Sequence, residues 1–142
     1  MPSEQPTITA VDTNILGDVF FADPSFGPRS KLALQRCLGE GRLIACEVVW
    51  AEIVAAFPSS DLLRTAMGSL TIGFSSLDLD PCLYAGNAWK EYRRAGGSRQ
   101  RMIADFLIGA HALRHANRLL TRGRGFYRTY FPGLMIFDPT TQ

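Results

Sequence analysis

Short apolar runs that alternate with longer helix-like segments set the tightest limit on how this chain can fold. TITAV (7–11), RLIAC (42–46), TIGFSSL (71–77), RLLT (118–121) and LMIF (134–137) each read as a strand, brief and rich in β-branched or aliphatic residues. Between them lie helix signals. Thr13 or Asn14 can cap a helix directly after the first strand. Pro28 suits the first turn of a helix through KLALQRCL that stops at Gly-Glu-Gly. EVVWAEIVAAF (47–57) is helix-like, and Pro58 ends it or starts another. Asp80 and Pro81 open a helix that closes at Gly96-Gly97, and SRQRMIADFLIGAHALRHA forms the next. Strands that alternate with helices predict an α/β domain, with a mostly parallel sheet covered on both faces. The C-terminal strand ends of such a sheet share one edge, and ligands bind just outside it.

At 142 residues the chain fits a single domain spanning 1–142, with residues 1–6 expected to be flexible. No apolar run reaches the roughly 18 residues of a membrane span. MPSEQP lacks the layout of a signal peptide, so a cytoplasmic location is expected. Cys37, Cys46 and Cys82 are odd in number and far apart. They suit neither a disulfide framework nor a zinc knuckle.

Charge is unevenly spread. Residues 1–89 carry net −5 and residues 90–142 net +7, and thirteen of the fifteen basic residues are arginine. Arginine grips phosphate through a planar fork. An acidic part and an arginine-rich part suit a protein that holds a cation in one place and a polyanion in another. Solvated surface is the plainer alternative.

Asp12 stands at the end of the first strand, where desolvation is costly unless the carboxylate meets a cation or donors. Glu52, within WAEIVAAF, and Asp105, within MIADFLIGA, are likewise acids in apolar surroundings. Asp18, Asp23, Glu40, Glu47, Asp61, Asp78, Asp80 and Glu91 read as surface or capping residues. Asp138 follows a strand but sits in an Asp-Pro turn context. Three acids of this kind suit an oxygen-ligand site for Mg²⁺ or Mn²⁺. Spacings of 40 and 53 residues do not by themselves bring them together.

VDTNIL, WAEI, ADFLIGAHA and LLTRGRGFYRTYFPG, in that order, resemble a PIN domain of the VapC toxin type, over residues 7 to 138. The resemblance implies a three-layer α/β/α sandwich and a Mg²⁺- or Mn²⁺-dependent ribonuclease. It also implies the toxin half of a toxin–antitoxin pair, commonly homodimeric, with a VapB-type antitoxin that inserts a peptide into the active-site groove. Asp12, Glu52 and Asp105 would be the metal ligands and catalytic acids, and Asn14 would help order Asp12. The chain departs from the family at Gly123, where related chains usually carry a fourth acid or polar residue. That puts a second metal in doubt: three acids and water suffice for one Mg²⁺, which keeps several waters, and the alternatives are a stand-in such as Thr121, Asp138 or a backbone carbonyl, or a site that binds metal weakly and cleaves slowly.

RGRGFYRTYFPG (122–133) reads as a loop. Arg122, Arg124 and Arg128 are candidate RNA phosphate contacts, and Phe126, Tyr130 and Phe131 pin the loop to the core. RRAGGSRQR (93–101) is a basic turn that either lines the substrate path or is solvated. His111 and His115 lack the glutamate of HExxH and face away from Asp105 around the helix, so packing is favoured over zinc. Trp50 and Trp89 read as core or dimer contacts. The rival reading is a PIN-like module that binds RNA or protein with little or no catalysis. A phosphatase or nucleotide enzyme would need a glycine-rich loop or a DxD pair, and VDTNILGD offers neither.

Overall fold

The computed structural model describes residues 5–98 and 102–141. Most of the flexible segment expected at 1–6, and the 99–101 end of the basic turn, lie outside the described residues. Five parallel strands form one sheet: β1 (Thr7–Val11), β2 (Gly41–Ala45), β3 (Ile72–Phe74), β4 (Arg118–Leu120) and β5 (Ile136–Phe137), in the order β3-β2-β1-β4-β5. Among the described residues seven α-helices accompany them: α1 (Thr13–Phe20), α2 (Gly27–Glu40), α3 (Glu47–Val54), α4 (Ser60–Ser69), α5 (Leu79–Arg94), α6 (Ile103–His115) and α7 (Arg124–Tyr130). A 3₁₀ turn, Pro139–Thr141, follows β5. The helices α1 and α2 pack as one pair and α5 and α6 as another, and α2 and α6 both reach β1, giving the α/β/α sandwich.

The chain builds outward from β1 twice. It first lays β2 and β3 on one side, then returns to place β4 and β5 on the other. The direction reverses at β1, so a crevice opens beyond its C-terminal end. Residue 12 occupies that point.

Register follows from close packing. Gly41 opens β2 so near β1 that a Cβ there would sit 2.0 Å from the Thr7 carbonyl oxygen. Thr9 pairs with Leu43 on one side and Arg118 on the other. Between α6 and the end of α7, Gly109 lets the Phe131 ring approach to where a Cβ would lie 2.6 Å away. The core is continuous, with Ile15, Leu16, Cys37, Phe106, Leu119, Leu120 and Phe131 fully buried.

Several boundaries differ from the sequence reading for local reasons. Asp12, rather than Thr13 or Asn14, caps α1. Asp78, rather than Asp80, precedes α5, and Asp80 lies in its first turn. The third strand ends at Phe74: the Ser75 N–H still bonds the Ala45 carbonyl of β2 at 3.0 Å, but the side chains from Ser75 onward engage helices. Ser75 Oγ meets His111 Nε2 at 2.9 Å, and Glu47 accepts Ser76 Oγ and the Leu77 N–H, each at 2.8 Å. RGRGFYRTYFPG is not a loop throughout: residues 124–130 close a helix whose aromatic residues meet Phe106.

His111 is a packing residue, 1% exposed. Burial above all, and then the charge of His115, depress its pKa from 6.5 to about 4, against the opposing pull of Glu47, Ser75 and Asp78. His115 Nε2 lies 3.0 Å from an Asp78 oxygen without hydrogen-bond alignment. Between pH 6.5 and 4 the unfolded chain binds a proton at residue 111 that the folded protein refuses. This residue's stabilisation is therefore present above pH 6.5 and lost as pH falls toward 4. His111→Gln should flatten that acid limb. Urea midpoints from pH 4 to 7.5 test this, and an unchanged pH profile would show that His111 titrates normally.

Candidate active site

Everything at the crevice is arranged around the Asp12 carboxylate, 7% exposed. Its backbone N–H bonds to the Leu120 carbonyl at 3.0 Å, which continues the β1–β4 ladder by one residue. The side chain then turns into the start of α1. Oδ1 accepts the Thr13 N–H at 2.7 Å. Oδ2 accepts Thr121 Oγ1–H at 2.8 Å, the Tyr127 hydroxyl at 3.3 Å and, at a long 3.5 Å, Asn14 Nδ2–H. Burial raises the Asp12 pKa from 3.8 to about 6; the Thr121 and Thr13 donors pull it down, and the nearby charges of Asp105 and Glu52 push it up. The leading influences on Asp12 include two like charges and no cation.

Glu52 comes from α3, which begins where β2 ends. It accepts the Thr13 hydroxyl at 2.7 Å, which joins it to the residue beside Asp12. Glu52 is exposed rather than sheltered as its apolar neighbours suggested. Asp105 lies in the first turn of α6, half-buried, and accepts the Met102 N–H at 3.3 Å. The three acids thus share one electrostatic neighbourhood, although local donors hold Glu52 and Asp105. Among the described residues no three acidic, histidine or cysteine side chains converge as a ready-made metal cage.

Asn14 sits between the strands' ends. Besides Asp12 it reaches Thr121 Oγ1 at 3.4 Å, and its Oδ1 accepts the Arg122 N–H at 3.4 Å. The guanidinium of Arg122 is engaged inside the protein. Nε and Nη2 fork onto Asp18 at 2.8 and 3.0 Å, and the plane lies 4.0 Å from the Phe26 ring centre. Asp18, which read as a surface residue, is buried and also accepts Ser30 Oγ–H at 2.8 Å. Arg124 is half-buried and Arg128 exposed, both on α7. Asp138 caps the turn after β5 by accepting the Thr140 N–H and hydroxyl, so its context is turn chemistry.

Position 123 is closely surrounded. A Cβ there would lie 3.3 Å from the Tyr127 ring and 3.4 Å from Thr121 Oγ1. The sequence reading missed Tyr127, Asp18 and the role of Thr121. The register carries a signal for Thr121, because Val11 pairs with Leu120 and the next residues are Asp12 and Thr121. Tyr127 follows Gly123 by one helical turn, but that spacing is visible only once α7 is known to be a helix.

A parallel α/β sandwich with a buried acid at its switch point, and two further acids in its electrostatic neighbourhood, defines the class of fold and the place of its ligand crevice. The sequence profile of the PIN domain matches residues 9–132, and the chain belongs to that family. No curated protein sequence matches significantly. Among solved structures, the chain is similar to VapBC-1 of nontypeable Haemophilus influenzae, with a TM-score of 0.71, 18% identity and coverage of 94% of this chain and 98% of that one. A toxin–antitoxin complex of Klebsiella pneumoniae gives 0.68 at 22% identity, covering 92% and 97%. VapBC2 of Rickettsia felis, bound to a promoter DNA fragment, gives 0.64 at 19% identity, covering 92% and 98%. At these identities the likeness is one of fold.

Asp12 carries a cost that a bound cation would relieve. Its pKa of about 6 lies above the unfolded 3.8, so the folded protein holds the proton more tightly. Stability from this residue is full below pH 3.8 and declines as pH rises through 6. In metal-free protein at pH 7.5, Asp12→Asn should therefore be more stable than wild type, by about 2–3 kcal/mol, with the gain vanishing near pH 4. Added Mg²⁺ should raise the melting temperature of wild type but not of the variant. Equal stabilities at pH 7.5 would mean that Asp12 is not strained.

Proposed function

We propose that the protein is a Mg²⁺- or Mn²⁺-dependent endoribonuclease, the toxin component of a VapBC-type toxin–antitoxin pair acting in the cytoplasm. The observation that carries the proposal is the buried Asp12 carboxylate at the sheet's switch point, with Glu52 and Asp105 raising its pKa and no cation among its leading influences. The donor set is all oxygen, which fits a hard divalent ion. Asp12, Glu52 and Asp105 would hold that ion. Such an ion lowers the pKa of a coordinated water and polarises a phosphoryl oxygen.

The rest of the work falls to the chain. Thr13 N–H, Thr121 and Asn14 fix the Asp12 carboxylate. Thr13 also steadies Glu52, which faces solvent and so faces incoming substrate. Water attacks phosphorus as the P–O3′ bond breaks, and the departing 3′ oxygen takes a proton, leaving a 5′-phosphate. Arg124 and Arg128 contact RNA phosphates, whereas the fork of Arg122 is held by Asp18.

Partners fit the same reading. The Phe57 ring lies 5.5 Å from both the Phe20 and the Phe21 ring, and Phe21 is 51% exposed. This is an apolar seat suited to a VapB-type antitoxin peptide, and the similar solved structures include toxin–antitoxin complexes. Exposed Phe74, Leu79 and Leu83 supply apolar surface for a homodimer contact. No helix among the described residues is long and apolar enough to cross a membrane.

The rival, a PIN-like RNA- or protein-binding module without catalysis, draws on one observation: Glu52 and Asp105 are engaged by local donors rather than converged on an ion site. Cleavage of several RNAs with Mn²⁺, with Mg²⁺ and with EDTA separates the two. Activity should need metal, and Asp105→Asn should lower it by more than the roughly 10–100-fold that loss of an outer-shell partner costs. Full activity in folded Asp105→Asn would refute the site assignment, and metal-independent RNA binding without cleavage would favour the module. Replacing Arg124 and Arg128 with glutamine should make the salt dependence of RNA binding shallower, by about 1.4 in log–log slope for two single-strand phosphate contacts. An unaltered slope would remove both residues from the RNA path.

A further inference from the structure

Tyr127 presents a buried polar group that packing does not require. It is 1% exposed. Its ring lies among Phe126, at 5.0 Å between centres, and Phe131, at 6.0 Å. Phenylalanine would fill the same space. A phenol hydroxyl taken out of water costs free energy unless it finds a partner. The partner here is Asp12 Oδ2, at 3.3 Å. The glycine one turn earlier eases this placement, because Gly123 is the N-cap of α7 and a Cβ there would lie 3.3 Å from the tyrosine ring.

The two Asp12 oxygens are treated differently. Oδ2 accepts side-chain donors from Thr121, Tyr127 and Asn14, whereas Oδ1 accepts the Thr13 N–H. Donors crowded on one oxygen fix the carboxylate plane and leave the other oxygen more available to an ion. A residue so deeply buried does not reach RNA, so any influence on cleavage passes through Asp12. We propose that Tyr127 is a positioning residue of the cation site, its hydroxyl holding Asp12 Oδ2 together with Thr121. The inference rests on the nuclease reading given above.

The test compares Mn²⁺ binding, by calorimetry on the full chain, in wild type, Asp12→Asn, Tyr127→Phe and Phe126→Leu. The last loosens the same aromatic cluster without touching the hydroxyl. Tyr127→Phe should keep the metal-free melting temperature and weaken Mn²⁺ binding about tenfold, the loss typical of an outer-shell partner. Phe126→Leu should do the reverse. With RNA, Tyr127→Phe should lower kcat and leave KM unchanged. Wild-type Mn²⁺ affinity in folded Tyr127→Phe would overturn the positioning role while leaving the nuclease reading intact. Equal loss of affinity in both aromatic variants would reduce Tyr127 to packing. Absence of Mn²⁺ binding by wild type, at concentrations where RNA is also not cleaved, would remove the nuclease reading and this inference with it.

Discussion

The N–H···O=C bond from Asp12 to Leu120 fixes the rest of the site. It adds one rung to the β1–β4 ladder and stops β1 where α1 begins, so one residue is at once strand end, helix cap and crevice floor. The carboxylate has nowhere else to go. It is desolvated by β4 and α7, and the start of α1 covers its other side. Such a group survives in a fold only if donors or a cation meet it. Burial holds its proton to about pH 6, because the neutral donors Thr121 and Thr13 pull the pKa down by less than desolvation raises it.

Those donors arrive from distant parts of the chain, and a second buried interaction holds them in place. Arg122 follows Thr121 directly, and its fork grips Asp18, one turn beyond Asn14 on α1. Ser30 of α2 binds the same carboxylate, and Phe26 lies against the guanidinium. The pair therefore ties α1, α2 and the β4–α7 turn together behind the site. Breaking a buried pair at one end leaves an uncompensated charge, at a general cost of about 3–5 kcal/mol. Arg122, a candidate RNA contact by sequence, thus has its fork engaged within the scaffold.

The parallel sheet was legible because its signal is periodic and local. TITAV is short and β-branched and RLIAC short and apolar between turn signals, and both form strands within a residue of the expected bounds. Asp12 was legible for the same reason: a carboxylate ending an apolar strand is conspicuous. Asp18 was not. It is the sixth residue of a helix with mixed neighbours, and only the return of residue 122 to that helix shows that its face is turned inward. The third strand is shorter than its sequence suggests because SSL is as apolar-flanked as IGF, yet after the Ser75 N–H bonds Ala45 the chain turns to Glu47, which accepts Ser76 Oγ–H and the Leu77 N–H. Glu52 looked sheltered by its neighbours in sequence, but α3 turns that position outward. The helix in RGRGFYRTYFPG was hidden because glycine and arginine weaken the local pattern, while its stability comes from Phe106 across the core.

The basic surplus of the C-terminal part divides along the same lines. Arg118 is bound to Thr9 and Glu40 and lies over Phe137, so it serves the sheet rather than a ligand. Arg122 serves Asp18. Arg124 and Arg128 stand on α7, the helix that also carries Tyr127 to Asp12. A seven-residue helix anchored by aromatic packing thus has a cationic side and a side that touches the buried carboxylate. In the nuclease reading, phosphate drawn to the first would be registered against the second through one short, rigid element. Net charge alone could not set that distance. It is set by α7 itself, and Gly109, whose missing side chain admits the Phe131 ring, seats the end of that helix against α6.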